Sequence, residues 1–493
     1  MHAELAGTPR PAATQPRRSH AAGLLTVSSI VTGAINYAYA LVLTYRLVPE
    51  QYATFAGTQS LIAITGVIGG AGVPWVLARE TAAARQSGDE RRFRAAVNFG
   101  FWANVGVALL AAALMAALVL RFGSVTDAAL VAAVVVTLGV GSTGMGVLQG
   151  LGHTERMAVL IAAEAVFKLA VGSVAVFAVS ASASAALVGL LAGAAVLFAS
   201  LPALRGGISW PRRLHGGSSL WLSAVQIGGI QVGVGVLTAL DSILAVGSRL
   251  PASDAATYQV AATFGKVPMF VSSALSAAVF PVLAARGGRG DAPRSAALHA
   301  YTAVAAFVWL ALVTVPDRLL EDVLSDPFAS TSRWLPYTAA AGAGWGMLNL
   351  ITTFVQSHRS TGARGGWASV AGMAPLTVLG GVGMWAGAHW GGAAGLGVST
   401  IVVAWAVTAV YCLGRVERRG LAVFLGESVR GRRPVVAVLG AAALVAASLQ
   451  SVVWLAVAVV EGLAVAGYAF PELRRPVVAY WDRMRATGGG RHR

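Results

Sequence analysis

The sequence predicts an all-α, polytopic membrane protein with about fourteen transmembrane helices. Three observations support this class: 56% of the 493 residues are hydrophobic, only 11% are charged, and the mean hydropathy is +0.70. A soluble protein of this size needs roughly a quarter of its residues charged to cover its exterior. In lipid, by contrast, spans of about 20 apolar residues form helices that satisfy their own backbone hydrogen bonds.

The chain begins with a segment that predicts no packed structure. Residues 1–20 are rich in Pro, Ala, Thr and Arg without periodicity, which is typical of a disordered tail. The apolar stretch that follows, residues 21–45, is too long for the apolar region of a signal peptide and lacks a clear small-residue cleavage site. We therefore expect it to be the first transmembrane span.

Thirteen further apolar segments follow. The tightest turns lie at residues 180–182 and 450–451, and the boundaries of the spans beside them are the least sharply defined. The last two apolar segments form either a full transmembrane hairpin or a re-entrant one. The segments lie at about 52–78, 95–120, 128–150, 157–179, 183–204, 218–246, 255–284, 295–316, 334–357, 367–388, 393–413, 434–450 and 452–470.

The distribution of Lys and Arg predicts the orientation. With the N-terminus in the cytoplasm, 29 of the 36 basic residues fall in cytoplasmic segments, five fall outside and two lysines lie within spans. Cytoplasmic loops of membrane proteins carry this excess of positive charge. The chain is thus predicted to be a multi-pass plasma membrane protein with both termini in the cytoplasm. Its net charge of +16 then forms a collar facing anionic lipid headgroups, and indicates no nucleic-acid partner.

Short sequence matches indicate an internal repeat. RLVPEQYATF at residues 46–55 resembles RLPASDAATY at residues 249–258, an offset of 203. Pro74 precedes Arg79 by five residues and Pro281 precedes Arg286 by five, and the LQ and VQ pairs that begin at residues 148 and 355 share their offset of 207. Parallel repeats of this kind build transporters whose substrate site lies between the two halves.

The repeat predicts a division of the chain into two six-helix lobes plus a C-terminal helical hairpin. Because six is an even number, both lobes enter the membrane from the cytoplasm and are related by an axis along its normal. The predicted boundaries are a disordered cytoplasmic tail at 1–20, an N-terminal lobe at 21–205, a C-terminal lobe at 218–413, two additional transmembrane helices at 434–470 and a basic cytoplasmic tail at 471–493.

Three stretches resemble a known family: GAINYAYALVLTYRLVPEQYATFAGTQSL, LQGLGHTERMAVLIAAEAVFKLAV and LDSILAVGSRLPASDAATYQVAATFGKVPMFVSSALSAAVFPVL. The third is the most specific, with Asp241, Tyr258, Lys266 and Pro281 in the family's order. The chain resembles the polysaccharide-exporting branch of the multidrug/oligosaccharidyl-lipid/polysaccharide exporter superfamily, the lipid-linked oligosaccharide flippases, over roughly residues 20–420. The resemblance implies a two-lobed, twelve-helix core with alternating access, two extra helices and a lipid-linked glycan as cargo.

Five charged residues lie inside predicted spans, where each costs roughly 2.5–3.5 kcal/mol at a helix centre unless it has a partner or faces water. Glu164 and Lys168 are four residues apart and share a helix face. They form either a self-neutralising structural pair or an ion relay that lines a cavity. Glu461 lies in the added hairpin and is predicted to make a structural or oligomer contact.

Lys266 is predicted to lie near the membrane midplane, with no acid within one helical turn. In one interpretation Lys266, with Arg46 and Arg249 at the outer mouth, offers positive charge to the diphosphate of the cargo. In the other it forms a buried pair with Asp241 of the preceding span. The first interpretation is the one we adopt as the prediction.

Uncharged polar residues within the spans could hydrogen-bond sugars or neighbouring helices. Asn36 and Gln59 are assigned to the substrate cavity, and the others are Gln226, Gln231 and Asn349.

Several function classes find no support in the sequence. The one cysteine, Cys412, and eight unclustered histidines predict no disulfide, metal site, catalytic residue or cofactor. Phe264–Lys266 lacks the flanking residues of a phosphate loop, so the sequence predicts no ATP hydrolysis by this chain. Transport is therefore expected to draw on an ion gradient, the membrane potential or the cargo gradient. The loops between the predicted spans are short, whereas a glycan polymerase or glycosyltransferase gathers its catalytic residues on a sizeable loop or soluble domain. The sequence therefore disfavours both of these enzyme classes. A drug/cation antiporter of the same fold is the main alternative.

Overall fold

A computed structural model describes residues 16–209, 217–248, 250–285, 291–357, 362–415 and 433–488. These residues form helices and no strand. Eight helical segments among them are long and apolar enough to cross a membrane. With the spans that are broken or merged, the described part of the chain makes about fourteen passages, which confirms the predicted all-α polytopic class.

In the described residues, the N-terminal half comprises seven helices. The sixth continues as a π-helical turn over Ala175–Val179 and the seventh as a 3-10 helix over Leu197–Leu204. The helices are α1 (Pro16–Thr44), α2 (Pro49–Ala71), α3 (Val73–Ser87), α4 (Glu90–Val119), α5 (Val125–Gly150), α6 (Thr154–Val174) and α7 (Ala183–Val196). The turn before α5 is capped by polar groups, since Ser124 and Asp127 form a reciprocal capping box at the start of that helix.

Among the residues that the structure describes, the C-terminal half and the added hairpin comprise nine helices. A 3-10 helix over Asp326–Trp334 connects α12 to α13, so the segment between the spans at residues 317–333 is itself folded. The helices are α8 (Gly217–Gly247), α9 (Ala252–Gly265), α10 (Val267–Ala285), α11 (Asp291–Thr314), α12 (Asp317–Val323), α13 (Leu335–Ser357), α14 (Gly362–Arg415), α15 (Arg433–Ala447) and α16 (Ser451–Gly488).

Two spans predicted to be continuous are broken. Span 52–78 is interrupted at Gly72 (φ −84°, ψ −85°), and span 255–284 at Lys266 (φ −82°, ψ 3°). In each case a proline follows two residues later, at Pro74 and Pro268. Proline has no N–H to donate to the preceding turn and its ring clashes with the carbonyl four residues back, so the helix ends there.

Two other boundaries differ from those expected. The first helix begins at Pro16, inside the segment predicted as a tail, and α16 continues to Gly488, well past the predicted end at residue 470. The spans predicted at 367–388 and 393–413 are the two helical arms of α14, which a non-helical residue, Gly392, separates between the expected bounds. Gly392 has φ +59°, a left-handed conformation that residues with a side chain rarely adopt.

The turns define two faces of the molecule. We call the face that holds the turn at residues 45–48 the Arg46 face, and the face that holds the turn at residues 88–89 the Arg85 face. On the Arg46 face, Gln51 accepts a hydrogen bond from the backbone N–H of Ala183 (2.8 Å). On the Arg85 face, the Arg92 guanidinium pairs with the Glu80 carboxylate (2.7 Å).

The two halves meet along α2 and α8. Near the Arg46 face, a Cβ added to Gly57 would lie 2.8 Å from a methyl group of Val246. Near the Arg85 face, a Cβ at Gly228 would lie 3.1 Å from the Cα of Gly72. Small residues let the helix backbones approach closely at both ends, as is common between membrane helices.

The Arg46 face is also closed by contacts between the halves. The Tyr45 hydroxyl donates to the carbonyl of Val323 (2.6 Å), and the Ser325 hydroxyl donates to the carbonyl of Thr44. The Tyr52 ring meets the Phe328 ring edge-on, 5.1 Å between centroids. The loop from α12 through the 3-10 helix thus covers the first turn of the N-terminal half.

The added hairpin, α15 and α16, packs on α11. The indole N–H of Trp454 donates to the Thr314 hydroxyl (3.1 Å), and Leu444 and Trp454 are buried against α11 side chains that include Phe307. Its other surface is apolar and exposed, as expected of a lipid-facing helix pair. Glu461 lies on α16 beside Gly440, where a Cβ would be 3.4 Å from its carboxylate oxygen.

Candidate functional site

Lys266 occupies the break between α9 and α10. Its backbone N–H still bonds to the carbonyl of Ala262 (3.1 Å), which completes the last turn of α9. The ammonium Nζ lies 2.9 Å from Oδ1 of Asp241 and 3.2 Å from Oγ of Ser242, both on α8. The break therefore directs a charged side chain from the middle of one span toward the neighbouring span.

The acid of this pair is buried more deeply than the base. Asp241 is 3% exposed and also accepts the backbone N–H of Ser242 (2.7 Å), whereas the Lys266 side chain is 21% exposed. Gln259 on α9 supports the site by donating to the carbonyl of Ser242 (2.9 Å). The pair that was the alternative interpretation of Lys266 is thus formed, and about a fifth of the Lys266 side chain remains accessible.

Close packing against α13 holds the break in place. A Cβ at Gly265 would lie 2.5 Å from the carbonyl carbon of Thr338, and Gly342 packs directly on the Gly265 carbonyl. The Thr338 hydroxyl donates to the carbonyl of Ala261 (2.9 Å). Glycines on both helices therefore allow α13 to support the end of α9, so the position of Lys266 is set by backbone contact.

A polar stripe continues from Lys266 along α10. Phe270 and Ser273 are three residues apart and share one face of α10, and Lys266 lies at the break immediately before this helix. Phe270 is 49% exposed and Ser273 is exposed. Asn349 on α13 borders the stripe and donates to the hydroxyls of Ser272 (2.7 Å) and Ser273 (3.4 Å).

Tyr37 of α1, in the N-terminal half, contacts the aromatic residues beside Lys266. Its ring stacks on Phe264 at 6.0 Å between centroids with planes 12° apart, and it meets Phe270 at 5.8 Å and 69°. These two aromatic residues stand on either side of the Lys266 break. The Tyr37 hydroxyl is buried and makes no hydrogen bond within the described residues.

The second predicted pair lies on α6. Lys168 Nζ is 4.0 Å from Glu164 Oε1, and the side chains are 7% and 26% exposed, respectively. Helix α7 packs tightly on this turn, since a Cβ at Gly193 would lie 3.0 Å from the Cβ of Lys168. Here the base is the buried partner and the acid the accessible one, the reverse of the arrangement at Lys266.

Among the described residues, the hydrogen bonds and the ion pair of the Lys266 side chain go to Asp241 and Ser242 and not to another predicted cavity residue. Arg46 is exposed at its own face, with its guanidinium 5.2 Å from the centre of the Phe177 ring. Arg249 lies outside the described residues. Gln59 is half-buried on α2, and Asn36 on α1 has a buried amide oxygen with no hydrogen-bond partner among the described residues. Their roles in binding cargo remain predictions.

The remaining uncharged polar side chains were expected to bond sugars or neighbouring helices. Gln231 on α8 donates to the amide oxygen of Gln356 on α13 (3.3 Å), and Asn349 bonds the serines of α10. Gln226 is half-buried on α8. For Gln231 and Asn349 the contacts between helices are therefore present in the structure.

A separate cavity of about 180 Å³ lies within the N-terminal half between α2, α4 and α5. Asn104 lines it and donates to the hydroxyls of Ser142 (3.3 Å) and Thr143 (3.0 Å), while the other lining residues are mainly Val, Ala and Leu. No charged side chain lines this cavity. The charged face at Lys266 is therefore the stronger candidate for a site that handles an anion.

Three features of the site were missed from the sequence: the break itself, the stripe formed by Phe270 and Ser273, and the contact of Tyr37. Signals for the first two were present. Val–Pro follows both Gly72 and Lys266, and the spacing of Phe270 and Ser273 is that of one helical face. The contact of Tyr37 depends on how the halves dock, for which the local sequence holds no signal.

Comparisons with known proteins agree with this architecture. A family model described as "Polysaccharide biosynthesis protein" matches residues 20–285, more than half of the chain. The comparison with curated protein sequences returned no match.

Solved structures similar to this chain are membrane transporters. The lipid II flippase MurJ, in an inward closed conformation, aligns with a TM-score of 0.68 at 10% identity, over 91% of this chain and 99% of MurJ. A mutant of the Vibrio cholerae MATE transporter VcmN gives 0.53 at 15% identity, over 83% and 100%. A transporter of the MOP superfamily from Pyrococcus furiosus gives 0.54 at 13% identity, over 82% and 95%. At these identities the likeness shows a shared fold.

Proposed function

The chain belongs to the polysaccharide biosynthesis protein family, and from this premise we propose that it is a flippase for a polyprenyl-diphosphate-linked oligosaccharide. It carries this cargo across the plasma membrane by alternating access, for the synthesis of cell-surface polysaccharide. The sugar–diphosphate head passes between the two halves while the polyprenyl tail stays in lipid. Lys266 is the residue that meets the diphosphate.

The observation that carries this proposal is the partly exposed side chain of Lys266 at a mid-span helix break. Lysine has three N–H donors, and two are directed to Asp241 and Ser242. The third is left for a cargo oxygen on the exposed side. A charge-assisted hydrogen bond to phosphate is among the strongest polar contacts a protein makes in a low-dielectric site.

The contacts between the halves support alternating access. The Arg46 face is closed by Tyr45, Thr44 and Tyr52 against the α12 loop, so in this conformation cargo does not enter from that face. We assign the Arg85 face to the cytoplasm because positive charge is concentrated there. Release then requires the contacts at the Arg46 face to open.

The decisive test separates a cargo role of Lys266 from neutralisation of Asp241. We compare Lys266→Ala with the double variant Asp241→Ala/Lys266→Ala, using rescue of surface polysaccharide in cells that lack their own flippase. Loss of a hydrogen bond to a charged group predicts about a 10- to 100-fold fall in transport for both variants. Lys266→Arg, which keeps the charge, serves as the matched control and retains most activity.

Recovery of transport in the double variant would refute the role of Lys266 in binding the diphosphate, because the lysine would then serve only to neutralise Asp241. The amount of each variant in the membrane is measured in parallel, so that a folding defect is not mistaken for a loss of transport.

A second test addresses alternating access. Cysteines at Tyr45 and Val323 joined by a short bismaleimide should hold the Arg46 face closed and stop transport. Each single-cysteine variant treated in the same way should keep its activity; the native Cys412 is buried. Undiminished transport by the cross-linked protein would exclude opening at this face.

One observation favours a different cargo. Glu164 keeps 26% of its side chain exposed within α6, and an accessible acid in the membrane suits a drug/cation antiporter of the same fold. The two functions are separated by measuring drug resistance on expression beside glycan rescue in the same cells. Resistance that depends on Glu164, without glycan rescue, would replace the flippase assignment.

A further inference from the structure

Phe270 is an exposed aromatic residue on a face that is otherwise polar. It stands between Lys266 and Ser273 on the stripe along α10. Charged residues within membrane spans face the bundle interior or a water-filled cavity. Phe270 follows Lys266 by about one helical turn and contacts Tyr37 of the N-terminal half, so its ring is directed toward the boundary between the two halves.

An apolar ring beside a cation and amide or hydroxyl groups matches a particular ligand chemistry. Ligand sites combine aromatic walls with a few polar groups that fix orientation. The C–H groups of a sugar ring carry partial positive charge and pack on the negative face of an aromatic ring, while its hydroxyls need hydrogen-bond partners. Asn349 and Ser273 supply such partners next to Phe270.

The spacing along the helix fits a sugar joined directly to phosphate. Four residues separate Lys266 from Phe270, which corresponds to about 6 Å at the helical rise. A phosphate held by Lys266 therefore brings the first sugar ring of the cargo next to Phe270. Ser273, a further turn along, lies within reach of that sugar's hydroxyls.

Tyr37 occupies this position when no cargo is present. Its ring contacts both Phe264 and Phe270, and its hydroxyl is buried without a hydrogen-bond partner among the described residues. Buried polar groups are normally paired, so an unpaired hydroxyl indicates a partner that joins later. A sugar inserted between Tyr37 and Phe270 would provide one.

We propose that Phe270 and Tyr37 form an aromatic subsite for the sugar ring attached to the diphosphate. The proposal rests on the flippase function and on Lys266 as the phosphate ligand. Lys266 then recognises the carrier diphosphate common to all such cargos, and the aromatic pair recognises that a sugar is attached. Polyprenyl diphosphate without a sugar gains nothing from this subsite.

The test measures flipping in proteoliposomes that contain the full-length protein. Two fluorescent probes are compared, polyprenyl diphosphate bearing one N-acetylhexosamine and bare polyprenyl diphosphate. Phe270→Leu keeps the apolar volume and removes the ring, so flipping of the sugar-bearing probe should fall about tenfold with no change for the bare probe. Phe270→Trp should retain the preference, and the matched control Phe198→Leu, at an exposed phenylalanine after α7, should change neither rate.

Each other outcome is informative. Equal loss for both probes in Phe270→Leu means that Phe270 only packs helices, and overturns the subsite. A wild-type protein that flips the bare probe as fast as the sugar-bearing one also overturns it. If the wild-type protein flips neither probe, the flippase function itself fails, which is a separate result.

Discussion

The two halves of the molecule each break a central span, and they do so at different depths. In the N-terminal half the break is at Gly72, near the Arg85 face, where the backbone packs against Gly228 of α8. In the C-terminal half the break is at Lys266, in the middle of the span, where the side chain pairs with Asp241. Both breaks are followed by Val–Pro.

The comparison shows that the same Val–Pro break has a different consequence in each half, and that the residue at the break determines it. Proline ends the preceding helix in both cases because it lacks an N–H. Glycine at the break removes a side chain and lets the two halves approach. Lysine at the break places a charge at mid-membrane depth. Of these two breaks, only the one in the C-terminal half therefore carries a charged side chain.

The largest effect that tests this asymmetry is on stability. Asp241→Ala leaves the Lys266 ammonium without its acid in a low-dielectric site, and we expect a loss of about 3–5 kcal/mol in the free energy of unfolding. The double variant Asp241→Ala/Lys266→Ala should recover most of this loss. Unfolding is followed by titration with SDS in mixed micelles.

Asp254→Ala is the control, because it breaks a more exposed pair, with Arg333, that is worth only about 0–1 kcal/mol. An equal cost for Asp241→Ala and Asp254→Ala would show that the mid-span pair has no special burial.

The next effect concerns the Gly72 break. Gly228→Leu inserts a side chain where a Cβ alone would lie 3.1 Å from the Gly72 Cα, so we expect a loss of about 1–3 kcal/mol in stability through overpacking. Gly106→Ala on α4 is the control, since a Cβ there meets nothing within 4 Å, and it should be neutral or stabilising by up to about 1 kcal/mol. A neutral Gly228→Leu would show that the halves do not depend on this contact.

A smaller effect distinguishes the two prolines. Pro268→Ala restores an N–H and removes the ring that holds the break open, so Lys266 should shift and transport should fall several-fold. Pro74→Ala should change transport less, because no charged side chain depends on the Gly72 break. Initial rates of cargo flipping in proteoliposomes give the comparison, and equal effects of the two variants would remove the distinction between the breaks.

The smallest effect concerns the pair of the N-terminal half. Lys168→Met leaves Glu164 without its base at a distance where the pair is already loose, 4.0 Å, so we expect about 1 kcal/mol of destabilisation and a modest loss of transport. Glu164→Gln/Lys168→Met should be less impaired than the single variant. Equal transport by the single and double variants would argue against pairing.

The span count could be predicted from the sequence because hydropathy over about 20 residues depends only on composition. The short turns at 180–182 and 450–451 also fall between helices as expected. Hydropathy averages over a break, however, so Gly72 and Lys266 were placed inside continuous spans. The Val–Pro pairs mark both positions, and local backbone chemistry rather than hydropathy identifies them.

The candidate site could be predicted only in part. Lys266 and Asp241 were the two candidate partners because charges in a membrane need compensation. Which side of Lys266 stays accessible depends on the packing of α13 against Gly265, and the approach of Tyr37 depends on docking of the halves. Gly265 and Thr338 are 73 positions apart and Tyr37 and Phe264 are 227 positions apart, and one sequence holds no record of such contacts.

The pairing of Lys266 with Asp241 has an electrical consequence. The two charges sum to zero, as do those of Glu164 and Lys168, so these residues displace no net charge when the empty carrier reorients across the membrane potential. A diphosphate in transit would be the main charge that moves, at about 2.3 kcal/mol per elementary charge for each 100 mV. In the proposed orientation, a potential that is negative inside then favours the loaded step outward and leaves the empty return unaffected by voltage.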